Sequence, residues 1–343
     1  MDFTNLDRRR KTYGGANGKK LSVMIDGEMY MLKLPVKSER NKELSYLNGT
    51  ASEYIGCRIF NELGIKTQET ILGTFTTEKQ KTKIAVACKD FCTDGKMLQD
   101  FASLKNQIID SDSKGQGTEL DSLIETMQKQ NLMEPEKMQE HFWNMFIVDA
   151  YIGNWDRHNG NWGFLYDPKN DTASIAPVYD CGSCLYPSAD DDTMKSILTD
   201  KNKLKVRIFE RPTSAIMLDG KRIRYYDFIN SLKYEECNNA LAGMFPKINN
   251  AEEKIEKLID ETPYISNLQK TFFKTMLSVR KELILAPAYN KINAMKWDKF
   301  DKKLEECMKE LDTKYDLHKY NNKDRKISTT INKRDNHDGE DMV

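Results

Sequence analysis

FWNMFIVDAYIG (142–153) runs directly into NWDRHNGNWG (154–163), and this junction decides how the chain is read. The first stretch is apolar enough to be buried. The second puts an acid, a guanidinium, an imidazole, three asparagines and two tryptophans into ten residues. A chain that leaves its core and at once presents Asp156, His158 and Asn161 is forming either a polar turn or a reactive loop. In the turn reading, Asp156 caps and Asn161 takes a left-handed bend.

The surroundings favour the loop. A hairpin is predicted over 162–179, with NWGFLY, the turn DPKND and then ASIAPVY. Asp180 follows it in VYDCGS. Asp-x4-Asn, hairpin, Asp-x-Gly is an order with a meaning in phosphoryl transfer. One carboxylate accepts the proton of an attacking hydroxyl, while an amide oxygen and a second carboxylate hold Mg²⁺ against nucleotide phosphates. Magnesium takes hard oxygen ligands, which Asn and Asp supply.

Towards the N-terminus, YGGANGKK (13–20) places three glycines before a strand, where backbone N–H groups can approach phosphate oxygens. LSVMIDGEMYMLKL (21–34) reads as a β-hairpin about Asp26-Gly27, a pair suited to a type I′ turn. Lys33 lies on the strand face of Met29 and Met31, where an ammonium needs a partner, a ligand or a route to water. ASEYIGCRIFNEL (51–63) reads as a helix stopped by Gly64. On it Glu53 shares a face with Cys57 and Phe60. A Lys33–Glu53 pair would satisfy both charges and aim the ammonium at phosphates. A first-turn acid favoured by the helix dipole is the simpler alternative for Glu53. ETILGTF (69–75) and KIAVACKDF (83–91) read as strands.

Beyond these the pattern is helical: LDSLIETMQKQ (120–130), a helix from Glu134-Pro135 to Gly153, and most of the chain after about 225. The expectation is an α+β, two-lobed architecture. A small β-rich lobe with one helix spans 1–91, a larger, mostly helical lobe spans 92–318, and the polar stretch 319–343 is expected to be disordered.

The bulk numbers narrow the function classes. The chain has 343 residues, with Lys+Arg and Asp+Glu both 53, so no global charge favours nucleic acid or an anionic membrane. No apolar run reaches the ~18 residues of a membrane span. MDFTNLDRRRK has no apolar core and predicts no secretory leader. Seven cysteines, an odd count in a long chain, suit reduced thiols in a cytoplasm. Cys181 and Cys184 form one CxxC, which without a second pair is weak for zinc or redox use and reads as two small buried thiols.

Read together, these motifs resemble the HipA-like kinases. DRHNGN (156–161) is similar to their catalytic loop, YGGANGKK to their phosphate loop, SEYIGCRIFNELGI (52–65) to their regulatory helix and APVYDCGS (176–183) to their metal loop. The resemblance covers roughly residues 10–285. It implies a protein-kinase-like fold and a serine/threonine protein kinase that uses ATP and Mg²⁺, acts on protein hydroxyls and phosphorylates itself. It implies Asp156 as base and Asn161 and Asp180 as metal ligands. It gives Lys33, paired with Glu53, contact with the phosphates, and puts Gly14, Gly15, Ala16, Asn17, Gly18 and Lys19 over them. Cys88, Lys89 and Asp90 would form the adenine hinge through backbone groups, and His158 would orient the loop. It also implies synthesis in the cytoplasm, with export into host cells independent of a leader. The metal loop reads Asp-Cys-Gly, as is normal for the group. A phosphate-loop serine that relatives autophosphorylate has no counterpart in YGGANGKK. Phosphoinositide or small-molecule kinases and a non-catalytic ATP-binding interaction protein are the rival readings. Ser183, Ser188, Thr193 and Ser196 fall where an activation segment would lie. Nothing in the sequence sets the oligomeric state.

Overall fold

The structure is a computed structural model that describes residues 1–14, 20–35, 47–109, 114–295, 302 and 309. Met1–Tyr289 forms one compact unit and Asn290–Val343 a second. All elements below belong to the first. The expected tail at 319–343 and phosphate-loop residues 15–19 lie outside the described residues.

Alternating apolar residues build the first sheet. Its strands are β1 (Arg8–Arg9), β2 (Lys20–Ile25), β3 (Glu28–Lys33), β4 (Thr70–Thr76) and β5 (Thr82–Lys89), all antiparallel, in the order β1-β2-β3-β5-β4. Asp26 and Gly27 have φ of 49° and 82°, so both central turn residues are left-handed, as the expected hairpin requires. In β5, Ala85 and Ala87 face a core that includes Phe3, Val23, Tyr30 and Leu32. Val86 and Cys88 face the other way, with Leu72, Met31 and Tyr54. The helix α1 (Gly49–Glu62) packs on that second side, beneath β4 and β5. Burying both faces of a small sheet is what makes it stable.

Between β5 and β6 (Met97–Asp100) the chain changes sheet. β6 pairs with β7 (Gly163–Asp167), which pairs with β8 (Thr172–Ile175). The intervening chain is helical: α2 (Phe101–Ile109), α3 (Leu120–Lys129) and α4 (Pro135–Ile152). Then follow α5 (Asp191–Thr199), α6 (Lys201–Lys205), the two-residue strands β9 (Met217–Leu218) and β10 (Lys221–Arg222), α7 (Tyr225–Ser231), α8 (Glu235–Glu261) and α9 (Asn267–Arg280). This is the expected α+β layout of a small β-rich lobe and a mostly helical one. Sequence reading did not foresee β6 or α2.

α4 is the buried axis of the helical lobe. From Phe142 to Ile152 nearly every side chain is buried, and the helix packs against α3, α8 and α9. A helix that is apolar all round belongs inside. Proline opens it, and Gly153, at φ 68°, closes it by donating its N–H to Asp149 O. That stop delivers the polar loop 154–161 at a fixed point between α4 and β7.

Candidate active site

The β-rich lobe contributes an ammonium. β3 alternates so that Tyr30 and Leu32 enter the core while Met31 and Lys33 face the cleft. Lys33 Nζ lies 3.0 Å from Glu53 Oε2 and 3.0 Å from Asp180 Oδ1. Burial alone would push its pKa down, but the carboxylates of Asp180 and Glu53 outweigh that and hold it well above the ordinary lysine value. Glu53 is almost wholly buried on α1. Its Oε1 accepts the Cys181 N–H at 3.2 Å, so both carboxylate oxygens are engaged. The pairing expected from two misplaced charges is therefore present, and Asp180 completes a triad.

The loop after α4 owes its shape to its asparagines. Asn154 Nδ2 donates to Asp149 Oδ1 at 2.8 Å, and its carbonyl accepts the Tyr225 hydroxyl at 2.6 Å. Asn159 Nδ2 donates to the carbonyls of Gly115 and Gly117, tying the loop to the segment before α3. Asn161 Nδ2 donates to Asp156 O at 2.8 Å, which leaves Oδ1 as its acceptor atom. Trp162 stacks on Phe101 at 4.1 Å. His158 Nδ1 accepts the Gly160 N–H at 3.0 Å and so shapes the turn. Asp156 is half-buried in this loop and is not among the residues lining the cleft that holds Asn161 and Asp180. Burial raises its carboxyl pKa above the ordinary aspartate value, as does the charge of Asp180; His158 pulls it back down.

Asp180 sits at φ 55°, a left-handed conformation that aspartate tolerates better than most residues. The Lys33 ammonium holds its carboxyl below the ordinary value. The next turn, Cys181 to Cys184, locks onto α1. Cys184 Sγ bonds to Ser52 O at 3.3 Å, and a Cβ at Gly56 would come within 2.8 Å of both Cys181 Cβ and Cys184 Sγ. Gly56 is thus the point where helix and turn touch. Both cysteines are free buried thiols, as the sequence suggested.

Lys33, Asn161 and Asp180 line a cleft of about 530 Å³, within the range of nucleotide-sized sites. Lys11, Lys20 and Lys96 add further cations. Gly14 is at its rim; Gly15, Ala16, Asn17, Gly18 and Lys19 lie outside the described residues. The hinge residues are divided. Cys88 is fully buried in β5, and Lys89 turns its ammonium to Glu28 and Glu69. Asp90 lines the cleft and accepts Lys11 Nζ and the Tyr13 hydroxyl. The N–H groups of Lys89 and Asp90 already bond to Glu69 O and Met29 O. Phe91 and Cys92 continue the wall towards Tyr179. Of the four hydroxyls that fall where an activation segment was expected, Ser183 is buried and Ser188 is exposed.

Two residues escaped sequence reasoning. Lys20 is paired across the ladder from Lys33, and burial together with the Lys33 charge lowers its pKa. Its signal was the second lysine of YGGANGKK. Arg157 is more central. Its Nε bonds to Asp149 Oδ2 at 3.0 Å, its Nη1 to Asn161 O at 2.8 Å and to Tyr179 O, and its Nη2 contacts Cys181 Sγ at 3.5 Å. One guanidinium thus ties α4, the loop 154–161 and the segment 179–181 together. The available signal was Asp149, a lone acid in the apolar run before the loop.

Among the described residues no three His, Cys, Asp or Glu side chains converge on a metal position. Asp180 and Asn161 offer oxygen donors on adjoining loops, so a cation bound here needs phosphate or water oxygens to complete its shell. Magnesium carried by a nucleotide fits that donor set.

Comparison with known proteins agrees with this geometry. The HipA-like C-terminal domain family matches residues 12–265. The chain is 43% identical over 293 residues to the serine/threonine-protein kinase CtkA of Helicobacter pylori strain J99, covering 85% of this chain and 88% of that one. The crystal structure of a Helicobacter pylori proinflammatory kinase CtkA superposes with a TM-score of 0.78 at 41% identity, over 85% of this chain and 98% of that one. HipA of Shewanella oneidensis MR-1, solved with HipB and operator DNA, superposes with a TM-score of 0.52 at 14% identity, over 83% of this chain and 68% of that one, a likeness of fold.

Proposed function

The chain belongs to the HipA-like C-terminal domain family, and from that premise we infer that it is a serine/threonine protein kinase. It transfers the γ-phosphoryl group of ATP to a protein hydroxyl, its own included. The observation that carries this reading is the Lys33 ammonium, 3.0 Å from carboxylates on α1 and on the loop after β8. That contact assembles the phosphate side of the cleft across the two lobes.

The roles follow from charge and position. Lys33 and Lys20 would hold phosphate oxygens, with Glu53 keeping Lys33 oriented. Asp180 and Asn161 would hold magnesium, which when bound screens the charge of the phosphates. Asp156 would accept the proton of the attacking hydroxyl; its raised pKa makes it a better base than an exposed aspartate. Asn159, His158 and Arg157 would keep that carboxylate in register. The adenine would meet the wall formed by Asp90, Phe91 and Cys92. The Phe91 N–H, which bonds to nothing among the described residues, is the donor best placed to replace the occupied N–H groups of Lys89 and Asp90. This reading puts the proposed hinge contact one residue beyond the expected Cys88–Asp90.

The test is incubation with labelled ATP and Mg²⁺, followed by mass spectrometry of the enzyme and of a generic protein acceptor, beside a parallel lipid assay. Phosphoserine or phosphothreonine on protein is expected. Label that appears only on phosphoinositide, or on no acceptor, overturns the reading.

A further inference from the structure

A second cavity, of about 560 Å³, is lined by residues between Leu218 and Tyr234. Lys221, Arg222, Arg224 and Lys233 line it, against a single acid, Asp227, which faces Arg224 at 3.8 Å. Among the described residues, Lys221, Arg222 and Lys233 have no carboxylate within ion-pair distance. The chain as a whole is neutral, so this excess is local. Three further acids stand near this cavity, but only Asp227 lines it. Glu119 accepts the Gly220 N–H at 3.0 Å, and Asp121 and Asp219 act on the Tyr234 hydroxyl. The floor is aromatic, with Phe228 stacked on Tyr234 at 4.7 Å.

This cavity is joined to the proposed reaction centre through Arg222. Arg222 Nη1 donates to Trp155 O at 3.3 Å, one residue before Asp156. The charges come from β10, from Arg224 at the head of α7 and from Lys233 just past its end. Seven helical residues at 1.5 Å each put about 10 Å between those ends. An extended peptide covers that distance in about three residues.

We propose that this basic trough docks an acidic stretch of the protein substrate, flanking the hydroxyl that Asp156 deprotonates. The proposal rests on the kinase reading and adds the class of substrate. Opposite charge at the trough steers such substrates and lowers their KM, while a basic flank meets repulsion. An inositol phosphate headgroup would also be attracted. The trough is tied to the residue before Asp156, where a protein kinase receives its substrate chain, and that favours a peptide.

The test uses the full chain and three synthetic peptides with one serine flanked by aspartates, glutamines or lysines. The aspartate peptide is expected to show a KM about tenfold below the glutamine peptide at similar kcat. The double variant Lys221→Glu/Lys233→Glu alters two exposed side chains outside the reaction centre. It should reverse the order, favouring the lysine peptide and leaving the glutamine peptide unchanged. Equal KM values for aspartate and glutamine flanks, or an aspartate preference that survives the double variant, overturn the proposal while the kinase reading stands. Phosphoinositide vesicles that compete for the trough where aspartate peptides do not also overturn it. Absence of transfer to every peptide and to the enzyme itself removes both readings.

Discussion

Arg157 and Asp149 meet at two points inside the protein, Nε to Oδ2 at 3.0 Å and Nη2 to Oδ1 at 3.3 Å, with both side chains almost fully buried. Burial raises the Asp149 carboxyl, and Arg157 and Asn154 counter it. The guanidinium's remaining donors reach Asn161 O, Tyr179 O and Cys181 Sγ. A lysine has the charge but not the planar fork. Arg157→Lys is therefore expected to lose about 3 kcal/mol of stability by urea denaturation. It should also lower kcat more than it raises the KM for ATP, because the loops it joins carry Asp156 and Asp180. Unchanged stability would show that the fork is dispensable.

Asp156→Asn keeps the shape of the side chain and removes the base. Phosphoryl transfer is expected to fall by about 10²–10⁴-fold, with nucleotide affinity unaltered. Asp180→Ala should do the reverse at the binding step: calorimetry with and without Mg²⁺ should show that the metal no longer strengthens nucleotide binding. A variant at 156 with near wild-type turnover would remove it as the base.

Lys33 and Glu53 form one unit, and their substitutions should not add. Glu53→Gln keeps the volume and the acceptor for the Cys181 N–H, so the fold is retained while Lys33 loses one of its two anchors. The KM for ATP is expected to rise about tenfold. Lys33→Met should cost more, and adding Glu53→Gln to it should cost little further. Strict additivity would mean that the 3.0 Å contact does not couple the two residues in function.

His141 gives the protein a dependence on pH. Burial, reinforced by the Arg157 charge, lowers its pKa to about 4. Lys66, Lys137 and Glu140 line the same pocket. With the folded value below the unfolded one, the unfolded chain binds more protons between them. Stability is then full above about pH 6.5 and declines as pH falls towards 4. Between pH 7.5 and 5 this one group is expected to remove about 2 kcal/mol. His141→Gln should flatten that slope in denaturant titrations at the two pH values.

What the sequence revealed, and what it hid, follows the range of the interactions. The hairpin at Asp26-Gly27, the stop at Gly153 and the helix carrying Glu53 are local, written in turn residues and apolar spacing. The Lys33–Glu53 contact was legible because each residue puts a charge on an apolar face, and such charges seek each other. β6 was hidden because MLQD does not alternate in burial and is held in place by pairing with β7, about 65 residues away in sequence. Arg157 was hidden because a guanidinium within a polar run has no period; only its distant partner Asp149 looked out of place. The N–H groups of Lys89 and Asp90 go to neighbouring backbone at Glu69 and Met29, pairings that no local pattern records, so the sequence could not show which N–H groups of the expected hinge are already taken. The basic trough depends on two-residue strands too short to carry a pattern at all.

α1 is fastened along its whole first half. Asn48 just before it bonds to the carbonyls of Pro187 and Ala189 and takes a hydrogen bond from Gln269. Ser52 O holds Cys184, Glu53 holds Cys181, and Gly56 lies flush against both cysteines. A rod bolted at four successive levels cannot shift without carrying the 181–184 turn, and Asp180 beside it, so helix and acid are expected to travel as one piece.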